Sequence, residues 1–253
     1  MTASPLRHFL QPKWPTPKNV KSAISLRSGG FSGGLFSSNN LATHVGDNAD
    51  SVAHNRRQLQ VNLGLPSVPH WLDQVHGVDV ICADAPAVGN RADGSYSRRS
   101  ATVCAVLTAD CMPVLLCNQA GDQVAAVHAG WRGLAAGILQ NAVASFDQPA
   151  EQILVFLGPG IGADEFEVGS DVRQAFMATA KDTASRFLVE RAFRTRGDRY
   201  VADLYALARI KLQSVGVGHI YGGNCCTVSD GRRFYSYRRD LYTGRNASLI
   251  WLC

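Results

Sequence analysis

Between residues 101 and 128 three short apolar runs are separated by two polar breaks, and this pattern limits what the chain can fold into. Ala-Thr-Val-Cys-Ala-Val-Leu-Thr (101–108) and Pro-Val-Leu-Leu-Cys (113–117) are rich in strand formers and bounded by polar or turn residues, which predicts two strands. Asn118-Gln119-Ala120-Gly121-Asp122 reads as a turn, and Val124-Ala125-Ala126-Val127-His128 as the returning strand. Cys111 then sits at the first break, and the return brings His128 alongside it. After His128 the period changes: Leu134, Ile138, Ala142, Val143 and Phe146 fall on one helical stripe.

Other segments extend the same α/β pattern. Ser22 to Leu26 reads as a strand leading into Gly29-Gly30-Phe31-Ser32-Gly33-Gly34, a loop that would let backbone approach a ligand closely. It is not a Walker sequence, because no Gly-Lys-Ser/Thr follows. A helix is expected over 51–63, capped by Gly64. Another begins after Asp203 with the stripe Leu204, Ala208, Leu212 and Val215, and stops at Gly216. Ile153 to Leu157 should be a strand, with Gly158-Pro159-Gly160 as its sharp exit.

The break residues carry chemistry. His76 in Gln74-Val75-His76-Gly77, Cys111 in Thr108-Ala109-Asp110-Cys111 and His128 in Val127-His128-Ala129-Gly130-Trp131-Arg132-Gly133 supply two imidazoles and a thiolate. That borderline-soft set suits zinc and leaves the fourth tetrahedral position open for water or substrate. The ligands are too widely spaced for a structural zinc knuckle, so folding must assemble them. A strand ending in a ligand, followed by glycines and a helix start, is also a place to hold an anion. Taken singly, each histidine can be a hydrogen-bonded structural residue and Cys111 a small buried hydrophobe.

Composition excludes several classes. At 253 residues the chain can bury a sizeable core. Neither a linker nor a repeat divides it. The start, Met1 to His8, lacks a basic cap followed by an apolar stretch, so no signal peptide is expected. The apolar runs are cut by Asp110 and Asp122, far short of a membrane span. Seven cysteines, an odd number, fit a reducing compartment better than a disulfide framework. A soluble, cytoplasmic protein is therefore expected. Adjacent Cys225 and Cys226 rarely bridge, because the geometry is strained. The densest basic run, five arginines from Arg186 to Arg199, reads as a solvated face rather than a nucleic-acid site, since no aromatic-interleaved basic motif accompanies it.

Several motifs carry a resemblance. Thr-Ala-Asp-Cys-Met-Pro-Val-Leu-Leu (108–116), His-Ala-Gly-Trp-Arg-Gly (128–133), Gly-Pro-Gly-Ile-Gly (158–162) with Phe166-Glu167-Val168-Gly169, Cys226-Thr227, and Phe234-Tyr235-Ser236-Tyr237-Arg238-Arg239 through Thr243-Gly244-Arg245 resemble the YfiH family. That family is also labelled laccase-domain, polyphenol oxidase or purine nucleoside phosphorylase. The resemblance runs from about Arg27-Ser28-Gly29-Gly30 to the C-terminus. It implies an α+β fold: a single-domain α/β/β/α sandwich with mixed sheets, YfiH-like or cytotoxic necrotizing factor-like, over residues 21–253 behind an N-terminal arm (1–20). It also implies a zinc or copper site on His76, Cys111 and His128. One departure is Asp240-Leu241-Tyr242, where relatives usually carry Asp-Gly.

The resemblance further implies phosphorolysis of adenosine, inosine, guanosine and methylthioadenosine, together with adenosine deamination, with purine nucleoside and phosphate as substrates; a monomer is expected. Arg27, Arg56, Arg132, Arg238 and Arg245 are the candidates for holding phosphate, a task suited to arginine's two-pronged donor geometry. The His-x-Glu with Pro-Cys-x-x-Cys signature of zinc deaminases is absent, so deamination needs another proton carrier. Asp110 is the candidate, against the alternative of a structural carboxylate bonded to nearby backbone.

Two other classes compete. Copper oxidation by a four-copper cluster needs His-x-His pairs, and no two of the seven histidines (His8, His44, His54, His70, His76, His128, His219) are one residue apart. A single copper on the same three donors remains compatible. A metal-free Cys–His hydrolase would use Cys111 as nucleophile and His128 or His76 as base, in keeping with the family's role in editing peptidoglycan precursors.

Overall fold

Over residues 8–85 and 89–253, which this computed structural model describes, the chain opens with β1 (Phe9–Leu10), β2 (Val20–Ser25) and α1 (Ala49–Leu63). Residues 1–7, which hold most of the Met1 to His8 start read above and the beginning of the N-terminal arm, lie outside the described residues. Next come β3 (Val80–Cys82), β4 (Gly94–Ser97), β5 (Val103–Thr108), β6 (Met112–Asn118) and β7 (Val124–Ala129). Then follow α2 (Trp131–Ala136), α3 (Ile138–Ala144), β8 (Ile153–Leu157), β9 (Glu167–Val168), α4 (Ser170–Thr179) and α5 (Thr183–Arg191). The chain closes with β10 (Phe193–Arg196), β11 (Arg199–Ala202), α6 (Leu204–Gln213), β12 (His219–Gly222), α7 (Tyr237–Asp240) and β13 (Asn246–Leu252).

Two sheets form the centre, ordered β1-β2-β13-β5 and β12-β8-β6-β7-β4-β3. The second is mixed: β6 runs antiparallel to β7 and β8, whereas β12 runs parallel to β8 and β3 parallel to β4. A small third sheet, β10-β11-β9, lies outside them. The inward sides of β5 and β6, including Cys104, Val106, Leu115 and Cys117, meet between the two large sheets with Ile24, Phe156 and Ile250. The opposite side of β6, Val114 and Leu116, packs with Leu134, Ile138, Leu139 and Leu207 of the helical layer. The opposite side of β5, Val103, Ala105 and Leu107, packs with Leu59 of α1. This is the expected single-domain α/β/β/α sandwich. It explains why the strands read as continuous apolar runs, since both faces are buried. Leu115 is 0% exposed, and truncating such a side chain to alanine costs about 2–5 kcal/mol.

The hairpin follows the expected register, with Met112 opposite Ala129 and Pro113 opposite His128. Its turn is tied by Asn118 Oδ1, which accepts the amide protons of Gly121, Asp122 and Gln123. The helix expected over 51–63 starts two residues earlier, where the Asn48 side chain accepts from Ser51 N, and ends as expected at Gly64 in left-handed geometry. In α6, Asp203 caps Ala206 N and the turn at Gly216 has φ 94°.

One expectation fails. The stripe from Leu134 to Phe146 is not one helix: Gly137 adopts φ 111° and splits it into α2 and α3, and the stripe survives only as shared burial. In the glycine-rich loop Gly33 and Gly34 have open space around them, whereas Gly30 is packed. A side chain at Gly30 would strike Ser38 O and Asn55 Oδ1, so this glycine lets the loop pack on α1, where Phe31 N donates to Asn55 Oδ1 at 2.8 Å. Among the described residues no helix is long and apolar enough to cross a membrane, and all seven cysteines are free.

Candidate metal centre and its cleft

His76, Cys111 and His128 converge at the ends of β5, β6 and β7. Their ligand atoms lie within 4.8 Å of one another, and they are the one such group among the described residues. Cys111 Sγ is 3.7 Å from His76 Nε2, and the two imidazole rings meet edge to face at 4.7 Å. Tetrahedral zinc with nitrogen and sulfur donors spaces its ligand atoms about 3.3–3.7 Å apart, so the sulfur–nitrogen separation matches one edge of such a site.

Backbone devices aim each ligand. His76 (φ 60°) is held in left-handed geometry by Asp93, whose oxygens accept the amide protons of Val75, His76 and Gly77 at 3.2, 2.9 and 2.6 Å. Asp93 also accepts from His128 Nδ1 at 2.8 Å, which fixes that tautomer and leaves Nε2 for the site. Gln74 clamps the same loop to β5 through paired bonds with Leu107 N and O, both 2.8 Å. Asp110 (φ 86°) places Cys111, and its two carboxylate oxygens accept from Thr227 Oγ1 and Arg238 N, each at 2.6 Å. Gly130 leaves the space the ligands occupy: a Cβ there would lie 2.8 Å from His76 Cδ2 and 3.1 Å from Cys111 Sγ.

The electrostatics favour a thiolate. Burial pushes the Cys111 thiol up, but the charge of His128 and hydrogen bonds from both histidines outweigh it and bring it down to about 6. Burial pushes His128 down, yet the neighbouring thiolate and Asp93 raise it to about 9. Asp93 is pushed up by burial and pulled lower overall by His128 and the Gly77 amide, so it stays ionised. In a metal-free site the pair is thus imidazolium and thiolate, and a divalent cation would displace the imidazolium proton.

Above the three ligands opens a cleft of about 410 Å³ with walls of Leu107, Trp131, Ile161, Phe166 and Tyr237. Arg132, Arg238 and Arg245 reach it. Arg132 stacks on Trp131, Arg238 lies over Phe166 and donates to the carbonyls of Glu165 and Glu167, and Arg245 bonds the carbonyls of Thr243 and Gly244. Arg27 and Arg56 do not line the cleft. Arg27 donates to Gly231 O and Ser37 O, and Arg56 donates to Leu41 O while stacking on Trp71. Arg194, Arg196 and Arg199 of the basic run pair with Asp164 and Glu167 on the surface.

Two residues, one behind the ligands and one in the cleft, escaped the sequence reading. Asp93 precedes a glycine, and Asp-Gly reads locally as a turn; nothing in the chain reveals that its carboxylate is 0% exposed. His44 carries no local signal at all. It lines the cleft, and burial together with the charges of Arg245 and Arg56 lowers its pKa against the opposing pull of Asp73.

The family model described as multi-copper polyphenol oxidoreductase laccase matches residues 21–253. The purine nucleoside phosphorylase YfiH of Escherichia coli K12 is 53% identical over 245 residues, 96% of this chain and 98% of that protein. The chain belongs to the YfiH family. A second relative, the purine nucleoside phosphorylase PA4543 of Pseudomonas aeruginosa, is 48% identical over 244 residues, covering 96% of this chain and 98% of its own. Among solved structures, a Neisseria meningitidis protein superposes with a TM-score of 0.90 at 48% identity, covering 97% of this chain and 99% of its own. YlmD from Geobacillus stearothermophilus gives 0.88 at 30% identity, over 97% and 96%.

Proposed function

We propose that this protein is a zinc-dependent purine nucleoside phosphorylase. In this reading it converts adenosine, inosine, guanosine or methylthioadenosine and phosphate to the free base and the sugar 1-phosphate, and deaminates adenosine as a side activity. One observation carries the reading: a two-imidazole, one-thiolate donor set opens into the same cleft as Arg132, Arg238 and Arg245. The names of the relatives in Escherichia coli and Pseudomonas aeruginosa support it.

When bound, zinc supplies a Lewis acid with a free coordination position. The chain does the rest. Asp93 keeps His128 in the tautomer that presents Nε2, and Cys111 contributes negative charge. The three arginines hold the phosphate through charge-assisted bonds, worth about 1.5–3 kcal/mol each. Trp131, Phe166 and Tyr237 exclude water from one side. Asp110 anchors the Cys111 turn, with both oxygens already engaged. His44, kept neutral by its surroundings, takes the role of proton acceptor in deamination. An odd count of seven cysteines suits a reducing, cytoplasmic setting.

The test is phosphorolysis of inosine by the purified protein, followed as hypoxanthine release with and without a chelator. Phosphate-dependent release that chelation abolishes and zinc restores supports the reading; its absence in zinc-replete protein overturns it. A second reading, a Cys–His hydrolase, is favoured by the 3.7 Å contact between Cys111 and His76. It predicts turnover by metal-stripped protein that thiol alkylation destroys.

A further inference from the structure

The non-glycine residues with positive φ in the described chain are His76, Asp110 and Leu241. The first two place or carry metal ligands. Leu241 does neither. It sits at φ 58°, ψ −63°, and Tyr242 N donates back to Asp240 O at 2.7 Å, closing Asp240-Leu241-Tyr242 into the rare, strained form of the γ-turn. The Leu241 side chain does not repay that strain by burial, being 60% exposed, and Tyr242 beside it is 71% exposed. Strained backbone that carries exposed apolar side chains gains nothing from folding, and such strain concentrates where a ligand is handled.

The two side chains face a recess of about 320 Å³, completed by His44, Val45, Tyr237, Thr243 and Arg245. His44, Tyr237 and Arg245 belong equally to the metal cleft, so the two spaces adjoin. Thr243 is 2% exposed, and its buried Oγ1 has no hydrogen-bond partner among the described residues. A lining that mixes the apolar and aromatic side chains of Val45, Tyr237, Leu241 and Tyr242 with the imidazole of His44 and the guanidinium of Arg245 matches a planar heteroaromatic ring with polar groups on its rim.

We propose that this recess receives the heterocyclic base of the nucleoside, and that Leu241 and Tyr242 are specificity-determining residues. The proposal rests on the nucleoside reading above. The ribose and phosphate then lie toward His76, Cys111 and His128, and the base lies toward the γ-turn. The strained turn presents its two side chains as one wall. Glycine at 241 would relax the backbone and remove half of that wall.

Leu241→Gly and Tyr242→Ala test this in the zinc-loaded protein. Thermal unfolding of Leu241→Gly is expected at or above the wild-type temperature, since glycine adopts this φ without strain. The same variants should raise KM for inosine about five- to twentyfold, with a smaller change in kcat and an unchanged KM for phosphate, reflecting loss of one apolar contact from a pocket. Calorimetric titration with hypoxanthine gives a readout without turnover, and both variants should bind it several-fold more weakly than wild type. Wild-type protein that binds hypoxanthine without phosphorolysing inosine retains the subsite and removes the phosphorylase reading. Inosine KM and hypoxanthine affinity within twofold of wild type in both variants overturn the proposal. So does a wild type that binds no hypoxanthine, or a rise in phosphate KM equal to that for inosine.

Discussion

The buried carboxylate of Asp93 accepts the Nδ1 proton of His128 at 2.8 Å and, with the same pair of oxygens, the amide protons that shape the His76 loop. One side chain therefore orients two of the three candidate metal ligands. Asp93→Asn keeps the shape and removes the charge. The expected result is a metal affinity about 10–100-fold weaker and a stability loss of about 1–3 kcal/mol, read by chelator competition and thermal melting. Affinity within twofold of wild type would contradict this role.

Gly130 has φ −68°, which any residue adopts, so alanine there creates no backbone strain. The added methyl would press on His76 Cδ2 and Cys111 Sγ instead. Gly130→Ala should fold with a loss of about 1–3 kcal/mol while retaining much less zinc. Elemental analysis of the dialysed variant decides the point; a full complement of zinc would show that the ligands do not need this space.

In metal-stripped protein Cys111 titrates near 6 rather than the ordinary 9.0. Alkylation by iodoacetamide should rise with pH to a plateau above about 7, because the thiolate is the nucleophile, and zinc should protect the residue. Global stability behaves differently. The Cys111 contribution is complete above 9.0 and is lost as pH falls through about 6, whereas that of His128 is complete below 6.5 and is lost as pH rises through about 9. Folded imidazolium–thiolate and unfolded imidazole–thiol hold the same single proton between 6.5 and 9, so this pair adds no net slope there. An alkylation midpoint near the ordinary thiol value would contradict the geometry of the pair.

The central strands and the ligand trio were legible because both depend on local patterns, short apolar runs and chemically distinctive residues at their ends, whereas the sandwich they build was expected only from the family resemblance. What the chain concealed depends on contacts distant in sequence. Nothing near Arg27 or Arg56 reveals that their guanidinium groups are spent on carbonyls of Ser37, Gly231 and Leu41. The split at Gly137 was readable in principle, yet the stripe from Leu134 to Phe146 is continuous enough to mask it. Asp110 illustrates the limit best. Its place beside Cys111 left proton transfer and a structural carboxylate both open, and its bonds to Thr227 and Arg238, far along the chain, could not be read locally.

Those placements make the arginines separable by experiment. Arg132→Met, Arg238→Met and Arg245→Met should each raise KM for phosphate about tenfold or more, the equivalent of losing a charge-assisted hydrogen bond. Arg27→Met and Arg56→Met should leave it within about twofold. Steady-state kinetics at saturating inosine distinguish the two groups, and equal effects across all five would point to net charge rather than contact.

The most direct test pairs zinc content with inosine phosphorolysis in wild type and Cys111→Ala. About one zinc per wild-type chain, with metal and turnover lost together in the variant, is the predicted result. A variant that phosphorolyses inosine at the wild-type rate without bound metal would contradict the account.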